Sequence, residues 1–554
     1  MIEERLSALV REALLAAAPE LGLEGEPPPV EISMSKQKAH GDFSTNVALV
    51  VAPRVARQPR DVATAIVQHL REDAAVRDVN IAGPGFINFS VTNDWLFETL
   101  RRIAVLGAAY GRTEPNGRSV QVEFVSANPT GPLHIGHARN AVIGDALASV
   151  LSAAGWSVER EYYYNDAGRQ MELFGASVEA RYLELFGLPA EIPEGGYPGG
   201  YLIDVAKDIV REHGDAFAAL PEDERRAALL REGSRRVLAM IERTLERFGV
   251  RFDSFFSERT LHERGEIDEV VRRLREAGFA YDADGAVFFR STAFGDDKDR
   301  VLIRSSGAPT YFAADAAYIV DKFSRGFDHV IYVWGADHHG DVARVRGVAQ
   351  ALGLDPAAVE MVLYQWVALL RGGGMSKRAG TFITLDELLD EVGADALRFT
   401  LLLRSNDATM EVDIEDMKRR SMENPVYYVQ YGHARIASIL RNAAGRGVEP
   451  GPIEAADVTL LSTEPELGLL RRVADLPGRI ADAAGLRAPH RLTHYAQELA
   501  ADFHRFYTEC RVLTEDEELT RARLWLCVAT KQTIANVLGL LGVSAPDSME
   551  RVDE

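Results

Sequence analysis

The sequence predicts an α/β protein built on a Rossmann-type parallel sheet, with a small α+β domain before it and an all-α domain after it. Three observations predict this. Residues 119–125 read as a strand that runs through a loop holding Asn128, Pro129, Gly131 and Pro132 into a helical pattern over 137–154. Strand, Gly/Pro loop and helix open an α/β nucleotide-binding unit. The apolar run 330–334 reads as a second strand buried on both faces, as parallel strands are. From about Asp395 onward the apolar spacing is helical.

In chain order, a helix is expected near 2–15, where apolar residues recur at helical spacing. Pro27, Pro28 and Pro29 then break the chain. A helix is expected over 61–71, and 86–91 alternates like a strand. Asn116 and Gly117 mark a turn before the strand at 119–125. Residues 169–275 are rich in charged helical sequence, interrupted by a Gly/Pro segment at 193–200. In the helical tail, loops are expected at 445–452 and 476–478. These breaks divide the chain into domains 1–108, 109–395 and 396–554, with a helical insertion near 171–275 in the second.

Bulk properties bound the function. A single core stops growing near ~250–300 residues, so 554 residues need several. A hydrophobic fraction of 47% and a charged fraction of 26% are those of an ordinary globular protein. No apolar run is long enough to span a bilayer, and residues 1–20 carry acids, unlike a signal or basic transit peptide. A cytoplasmic protein with no membrane partner is expected. Cys510 and Cys527, the only cysteines, allow neither a disulfide framework nor a cysteine-rich zinc site. The net charge of −21 disfavours bulk attraction for nucleic acid. Local basic tracks can still hold a large RNA on an acidic protein.

His134-Ile135-Gly136-His137 lies between strand and helix, where an open α/β sheet receives its ligand. A glycine there lets a flat adenine ring approach the backbone. Two imidazoles offer donors to phosphate oxygens, and the following helix adds partial positive charge at its N-terminus. Four residues alone could equally be a pair of loop histidines. The longer run 123–140, with Glu123, Ser126 and Asn128 ahead of the histidines and Asn140 behind them, closely resembles the signature of class I arginyl-tRNA synthetases. The resemblance implies an ATP site in which His134, Gly136 and His137 bind the nucleotide and the two histidines stabilise a pentavalent α-phosphate.

Gly372-Gly373-Gly374-Met375-Ser376-Lys377-Arg378 resembles the second class I signature, K-M-S-K-S, with Gly374 for the first lysine and Arg378 for the final serine. By the resemblance Met375, Ser376 and Lys377 contact ATP, and Lys377 is the catalytic cation. A cation placed where charge builds on pyrophosphate stabilises the transition state. Gly335-Ala336-Asp337-His338-His339-Gly340 follows the strand at 330–334. Gly335 would admit a ribose and Asp337 would accept its hydroxyl hydrogens, and the string resembles the class I G-x-D element. Its Asp-His-His letters also invite a metal reading. Adjacent side chains rarely converge on one ion, and no metal site is assigned.

Arginine selection needs acceptors facing a planar, permanently charged guanidinium. Tyr311 and Asp315 stand one helical turn apart. Each alone is an ordinary surface or capping residue; together with Glu123 and Asn128 they match the arginine-binding positions of the family. The resemblance places Asn128 and Glu123 near the α-amino end and Tyr311 and Asp315 toward the guanidinium, and adds Ser126, His134 and His338.

In the tail, 393–399 resembles the D-A-L-R mark of the family's anticodon-binding domain, and 423–435 resembles the opening helix of that domain in arginyl enzymes. Aromatics beside arginines suit stacked, unpaired bases, which makes Tyr431 and Arg435 candidate tRNA contacts. An aromatic core stripe is the competing reading, and it has equal weight for Tyr427 and Tyr428. The end of the chain, 547–554, is acidic where the family has a short basic terminus. The first domain resembles the additional domain of arginyl enzymes, which touches the corner of the tRNA; Phe86 and Asn88 are its candidate contacts.

The implied activity is ligation of L-arginine to tRNA(Arg) through an arginyl adenylate made from ATP with Mg²⁺, by a monomer. A small nucleotidyltransferase would leave the helical tail without a task. A regulatory RNA-binding derivative would not need intact histidines, Lys377 and pocket acids. Cysteinyl or methionyl specificity fits poorly with Asp315 and with the lack of a cysteine cluster.

Overall fold

A computed structural model describes residues 2–35, 41–166, 168–370 and 383–550. The chain forms two compact units, one of Met1–Tyr110, Ile439–Gly478 and Asp502–Thr533, the other of Gly111–Ser438, Arg479–Ala501 and Ile534–Glu554.

The first unit opens with the helix Ile2–Leu21, which buries Leu6, Leu9, Val10, Ala13, Leu14 and Ala17 along one stripe. That stripe shares a core with the helices Val47–Val55 and Pro59–Gln68 and with an antiparallel sheet. The strands are β1 (Ser33–Met34), β2 (Phe43–Thr45), β3 (Val76–Ala82) and β4 (Phe86–Val91), in the order β1-β2-β4-β3. The helix expected over 61–71 starts earlier, at Pro59, because a proline in the first turn gives up only an N–H that lacks a helical partner anyway. The other segments are helical: Glu464–Ala474 packs on Asp94–Leu106 within this unit.

The second unit carries the central sheet. Its strands are β5 (Ser119–Glu123), β6 (Ser157–Tyr164) and β7 (Ser254–Ser257), followed by the antiparallel trio β8 (Ala280–Ala283), β9 (Ala286–Phe289) and β10 (Arg300–Ile303), and then β11 (His329–Gly335) and β12 (Val359–Tyr364). The main sheet has the order β12-β11-β5-β6-β7, and its pairs are parallel. The chain leaves β5 toward β6 on one side and later returns to place β11 on the other. That reversal opens a crevice at the carboxyl ends of β5 and β11, the usual ligand position of such sheets. The helix Ile135–Ala153 joins β5 to β6 and is buried nearly all round. It lies so close to the sheet that a Cβ on Gly144 would stand 2.2 Å from the Phe124 ring.

Three expectations need correction. The segment at 171–275 is helical, as its charge pattern predicts, yet it also contributes β7, an edge strand of the main sheet. Residues 476–478 are not a loop: the helix Leu476–Gly485 begins there, with Pro477 in its first turn. The region after Asp395 is not wholly helical, because β14 (Met410–Asp413) pairs in parallel with β13 (Val367–Leu370). A four-residue strand between helices is too short for periodicity to reveal.

The D-A-L-R residues are structural. Arg398 is fully buried; its Nε donates to the Leu541 carbonyl at 3.0 Å, its Nη1 to the Phe248 carbonyl at 3.0 Å, and its Nη2 pairs with Asp145. Asp395 accepts from the Ser544 N–H at 3.0 Å and from Gln430 Nε2 at 2.8 Å. They tie the helix Ala394–Leu401 to the chain near 541–544 and to the helix Pro425–Gly445.

Candidate functional site

The crevice at the switch point is a cavity of about 370 Å³. Of the residues expected to form the site, Glu123, Ser126, His134, Gly136, His137, Asp315, Gly335, Asp337 and His338 line it. Asn128 and Tyr311 are not among the lining residues. Asn128 bonds through its amide to Gln170 Oε1 at 2.7 Å and accepts the Asn165 N–H at 3.1 Å. Tyr311, in the first turn of the helix Tyr311–Ser324, is largely exposed, with its hydroxyl oxygen near Gly168. Met375, Ser376 and Lys377 lie outside the described residues. One flank of their segment reaches the cavity, which Trp366 and Val367 line, and on the other flank Thr384 forms a β-bridge with the lining residue His134.

His134 is the N-cap of the helix Ile135–Ala153, and its Nδ1 accepts the Gly136 N–H at 3.1 Å. His137 Nδ1 accepts the His134 N–H at 3.2 Å, and the two rings stand 3.9 Å apart. A ring nitrogen that accepts a backbone N–H carries no proton, so each neutral imidazole holds its proton on Nε2. Burial, and then the His134 ring, push His137 down to about 3, so it is a neutral donor at physiological pH.

The opposite wall is acidic. Glu123 ends β5, is 5% exposed, and accepts the Ser126 hydroxyl at 3.0 Å on Oε1. Its Oε2 lies 2.9 Å from Lys322 Nζ, yet no donor among the described residues is aligned for a hydrogen bond to that oxygen. A buried acceptor left in this state is available to a ligand. Lys322, 1% exposed, also reaches Glu161 at 3.1 Å and Gln121 Oε1 at 2.5 Å, and sits 4.2 Å from the centre of the Tyr318 ring. Glu161 binds Arg325 in a fork, at 2.6 and 3.0 Å. Lys322 and Arg325 outweigh burial and hold Glu161 down to about 2. Among the described residues, no such cation pairs with Asp315. Burial pushes it up to about 8, with Glu258, Glu123 and Asp341 adding repulsion.

Asp337 follows β11 through Gly335, where a Cβ would come within 2.4 Å of Asp337 Oδ1. His338 Nδ1 lies 3.3 Å from Asp341 Oδ2. Among the described residues, the one group with metal-ligand spacing is Glu212, His213 and Glu232, elsewhere in the unit. Its carboxylates already pair with Arg235.

Sequence reasoning missed Lys322, Glu161 and Tyr163, whose hydroxyl donates to Glu258 at 2.6 Å. A signal for Lys322 was present: residues 315, 318 and 322 recur at i, i+3 and i+7 on one helix face. Of the proposed RNA contacts, Phe86 is exposed on β4. Asn88 is buried and bonds to Asn80 Oδ1 at 3.3 Å. Tyr431 and Arg435 are half-buried and bond to each other at 3.0 Å, and Tyr427 stacks on Tyr431. Within the acidic end, Glu550 packs on this helix: its carbonyl accepts the Tyr427 hydroxyl at 3.2 Å.

Comparisons with known proteins agree with one another. Residues 4–91 match the family model described as "Arginyl tRNA synthetase N terminal domain". Residues 99–436 match "tRNA synthetases class I (R), catalytic domain", and 429–549 match "DALR anticodon binding domain". A protein of Carboxydothermus hydrogenoformans named arginine–tRNA ligase is 48% identical over 98% of this chain and 97% of its own length. One of Desulforudis audaxviator with the same name is 50% identical, again over 98% and 97%. The fold is similar to that of Thermus thermophilus arginyl-tRNA synthetase, with a TM-score of 0.79 over 99% of this chain and 100% of the other at 24% identity.

Proposed function

The chain belongs to the arginyl-tRNA synthetase family, and from that membership we propose how its cavity performs the family's reaction. That reaction is the ATP-dependent joining of arginine to tRNA(Arg). One observation carries the reading: a single cavity sets the carboxyl groups of Glu123 and Asp315 on one wall against the two imidazoles of His134 and His137 on the other.

Arginine enters with its guanidinium toward Asp315 and its α-amino group toward Glu123 and Ser126. Asn128, Tyr311 and His338 stand at or beyond the rim and belong to the same arginine site in this reading. ATP, entering as its Mg²⁺ complex, lays its ribose at Gly335 and Asp337 and its adenine against Gly136. The arginine carboxylate attacks the α-phosphate in line; pyrophosphate leaves and arginyl adenylate remains. The terminal ribose hydroxyl of the tRNA then attacks the acyl carbon and AMP leaves. No protein nucleophile is needed, because positioning and charge stabilisation suffice. His134 and His137 meet the α-phosphate as Nε2–H donors, preorganised by the bonds at Nδ1. Lys377, with Met375 and Ser376, meets the pyrophosphate; the flanks of its segment support that role, since Trp366 and Val367 line the cavity and Thr384 bridges to His134.

The reading extends to three domains, 1–108, 109–395 and 396–554, a monomer at work in the cytoplasm, and tRNA contacts at Phe86, Asn88, Tyr431 and Arg435. Burial makes Asn88 the weakest of these. No described helix is long and apolar enough to cross a membrane. Charging of total tRNA with each amino acid in turn tests the function. Arginine alone is expected to be esterified, and His137→Ala to reduce the rate at least ~100-fold. Comparable charging with a second amino acid, or a fully active His137→Ala, refutes the reading.

A further inference from the structure

Asn140 lies one turn beyond His137, is 6% exposed, and has no part in the chemistry described above. Its carboxamide occupies the place where the central sheet comes apart. β5 and β11 pair in register up to Glu123 and Tyr332, and their ladder stops there. Past that point Asn140 Oδ1 accepts the Val125 N–H at 2.5 Å, and Asn140 Nδ2 donates to the Val333 carbonyl at 2.8 Å. One side chain serves as the next rung. The orientation of the amide follows from its partners, since an N–H needs the oxygen and a carbonyl needs the NH₂ group.

The β5 side of this rung is strained. Val125 has φ +66° and Ser126 φ +44°. The left-handed region is a true outlier for a β-branched residue and persists only where neighbours over-determine it. The neighbours here are Asn140 at Val125, the Phe124 carbonyl accepting the Ser126 N–H at 2.9 Å, and the Tyr162 hydroxyl bonded to both the N–H and the carbonyl of Ala127. The turn brings the Ser126 hydroxyl back onto Glu123. On the β11 side, only Trp334, Gly335 and Ala336 separate Val333 from Asp337. The rung therefore joins the end of the sheet that presents Glu123 and Ser126 to the end that presents Gly335 and Asp337.

We propose that Asn140 is a positioning residue that sets the spacing between the amino-acid half and the nucleotide half of the cavity, and thereby the in-line approach of the arginine carboxylate to the α-phosphate. The inference rests on the cavity reading given above. It requires that each half keep its own ligand when the rung is cut, while the reaction between the ligands fails. A displacement of about 1 Å between reacting groups can cost on the order of 100-fold in rate.

The test is aminoacylation of tRNA(Arg) by full-length Asn140→Ala and Asn140→Asp, with calorimetric titration of arginine alone and of ATP alone, and thermal unfolding of each variant. Asn140→Asp keeps the acceptor for Val125 and loses the donor to Val333, so it gives the same readout if the alanine variant does not fold. The expected result is a kcat lower by ~30- to 100-fold, with KM and Kd for both small substrates within about threefold of wild type. Unchanged kcat overturns the proposal. So does a loss of both affinities in step with a fall in melting temperature, which marks a merely structural role. Glu123→Gln and Asp337→Ala serve as controls. If the first fails to weaken arginine binding, or the second ATP binding, the cavity reading itself is wrong; if both behave and Asn140 variants keep kcat, the positioning role alone is wrong.

Discussion

Arginine binding is expected to expel a proton from Asp315 and to tighten as pH rises from 6 to 8. Asp315 is pushed up to about 8 by burial and by Glu258, Glu123 and Asp341. Lys322 and Arg325 compensate Glu161 instead. An acid raised in this way is neutral below about 8, whereas a guanidinium favours its ionised form. With a value of about 8, roughly one Asp315 in a hundred is ionised at pH 6 and about half at pH 8, so the apparent Kd for arginine falls ~50-fold across that interval. Calorimetric titrations in two buffers of different ionisation enthalpy measure both the affinity and the protons released. Nearly one proton per arginine is expected at pH 6–7 and about half of one at pH 8. Asp315→Asn abolishes the slope along with most of the affinity. An affinity flat from pH 6 to 8 without proton release, or a slope that survives in Asp315→Asn, refutes the electrostatic account. The same shift acts on stability. The protonated group stabilises the ligand-free fold below its unfolded value, and that contribution is lost as pH rises through about 8. Asp315→Asn should therefore melt higher than wild type at pH 8–9 without arginine.

Other expectations follow from single contacts. Lys322→Met leaves Glu123 and Glu161 without the cation between them and is expected to cost about 3–5 kcal/mol in denaturant unfolding, as for other broken buried pairs; an unchanged midpoint would show that the network is not coupled. Gly144→Ala forces a methyl toward the Phe124 ring, which predicts ~1–3 kcal/mol of overpacking and a higher KM for arginine through displacement of the adjoining Glu123. Wild-type stability would mean that helix and sheet separate freely there. Lys377→Ala should lower turnover strongly while leaving the KM for arginine nearly unchanged; unaltered turnover removes it from the catalytic set.

Much of the site was legible because it is local in the chain. The run 123–140 contains the end of a strand, the loop and the N-terminus of a helix, so contiguous residues determine the cap at His134, the tautomers of both histidines and the glycine between them. The strands at 119–123 and 329–335 were likewise legible in short contiguous segments, the second of them an apolar run. The three-domain resemblance extends over nearly the whole chain for the same reason, since each mark is a contiguous string. Periodicity failed where elements are short, at β7 and β14, and where a proline opens a helix, at Leu476.

What only the tertiary structure decided is which distant groups meet. The order β12-β11-β5-β6-β7 places the ends of two strands about two hundred residues apart beside one crevice, and no local signal specifies that crossover. It also distributes the buried charge: Lys322 came to Glu123 and Glu161, and among the described residues no cation pairs with Asp315. The sequence by itself determined the residue types and the local turns that the chemistry needs. Packing at the switch point decided their charge states and separations, because desolvation and Coulomb forces depend on neighbours in space rather than in sequence.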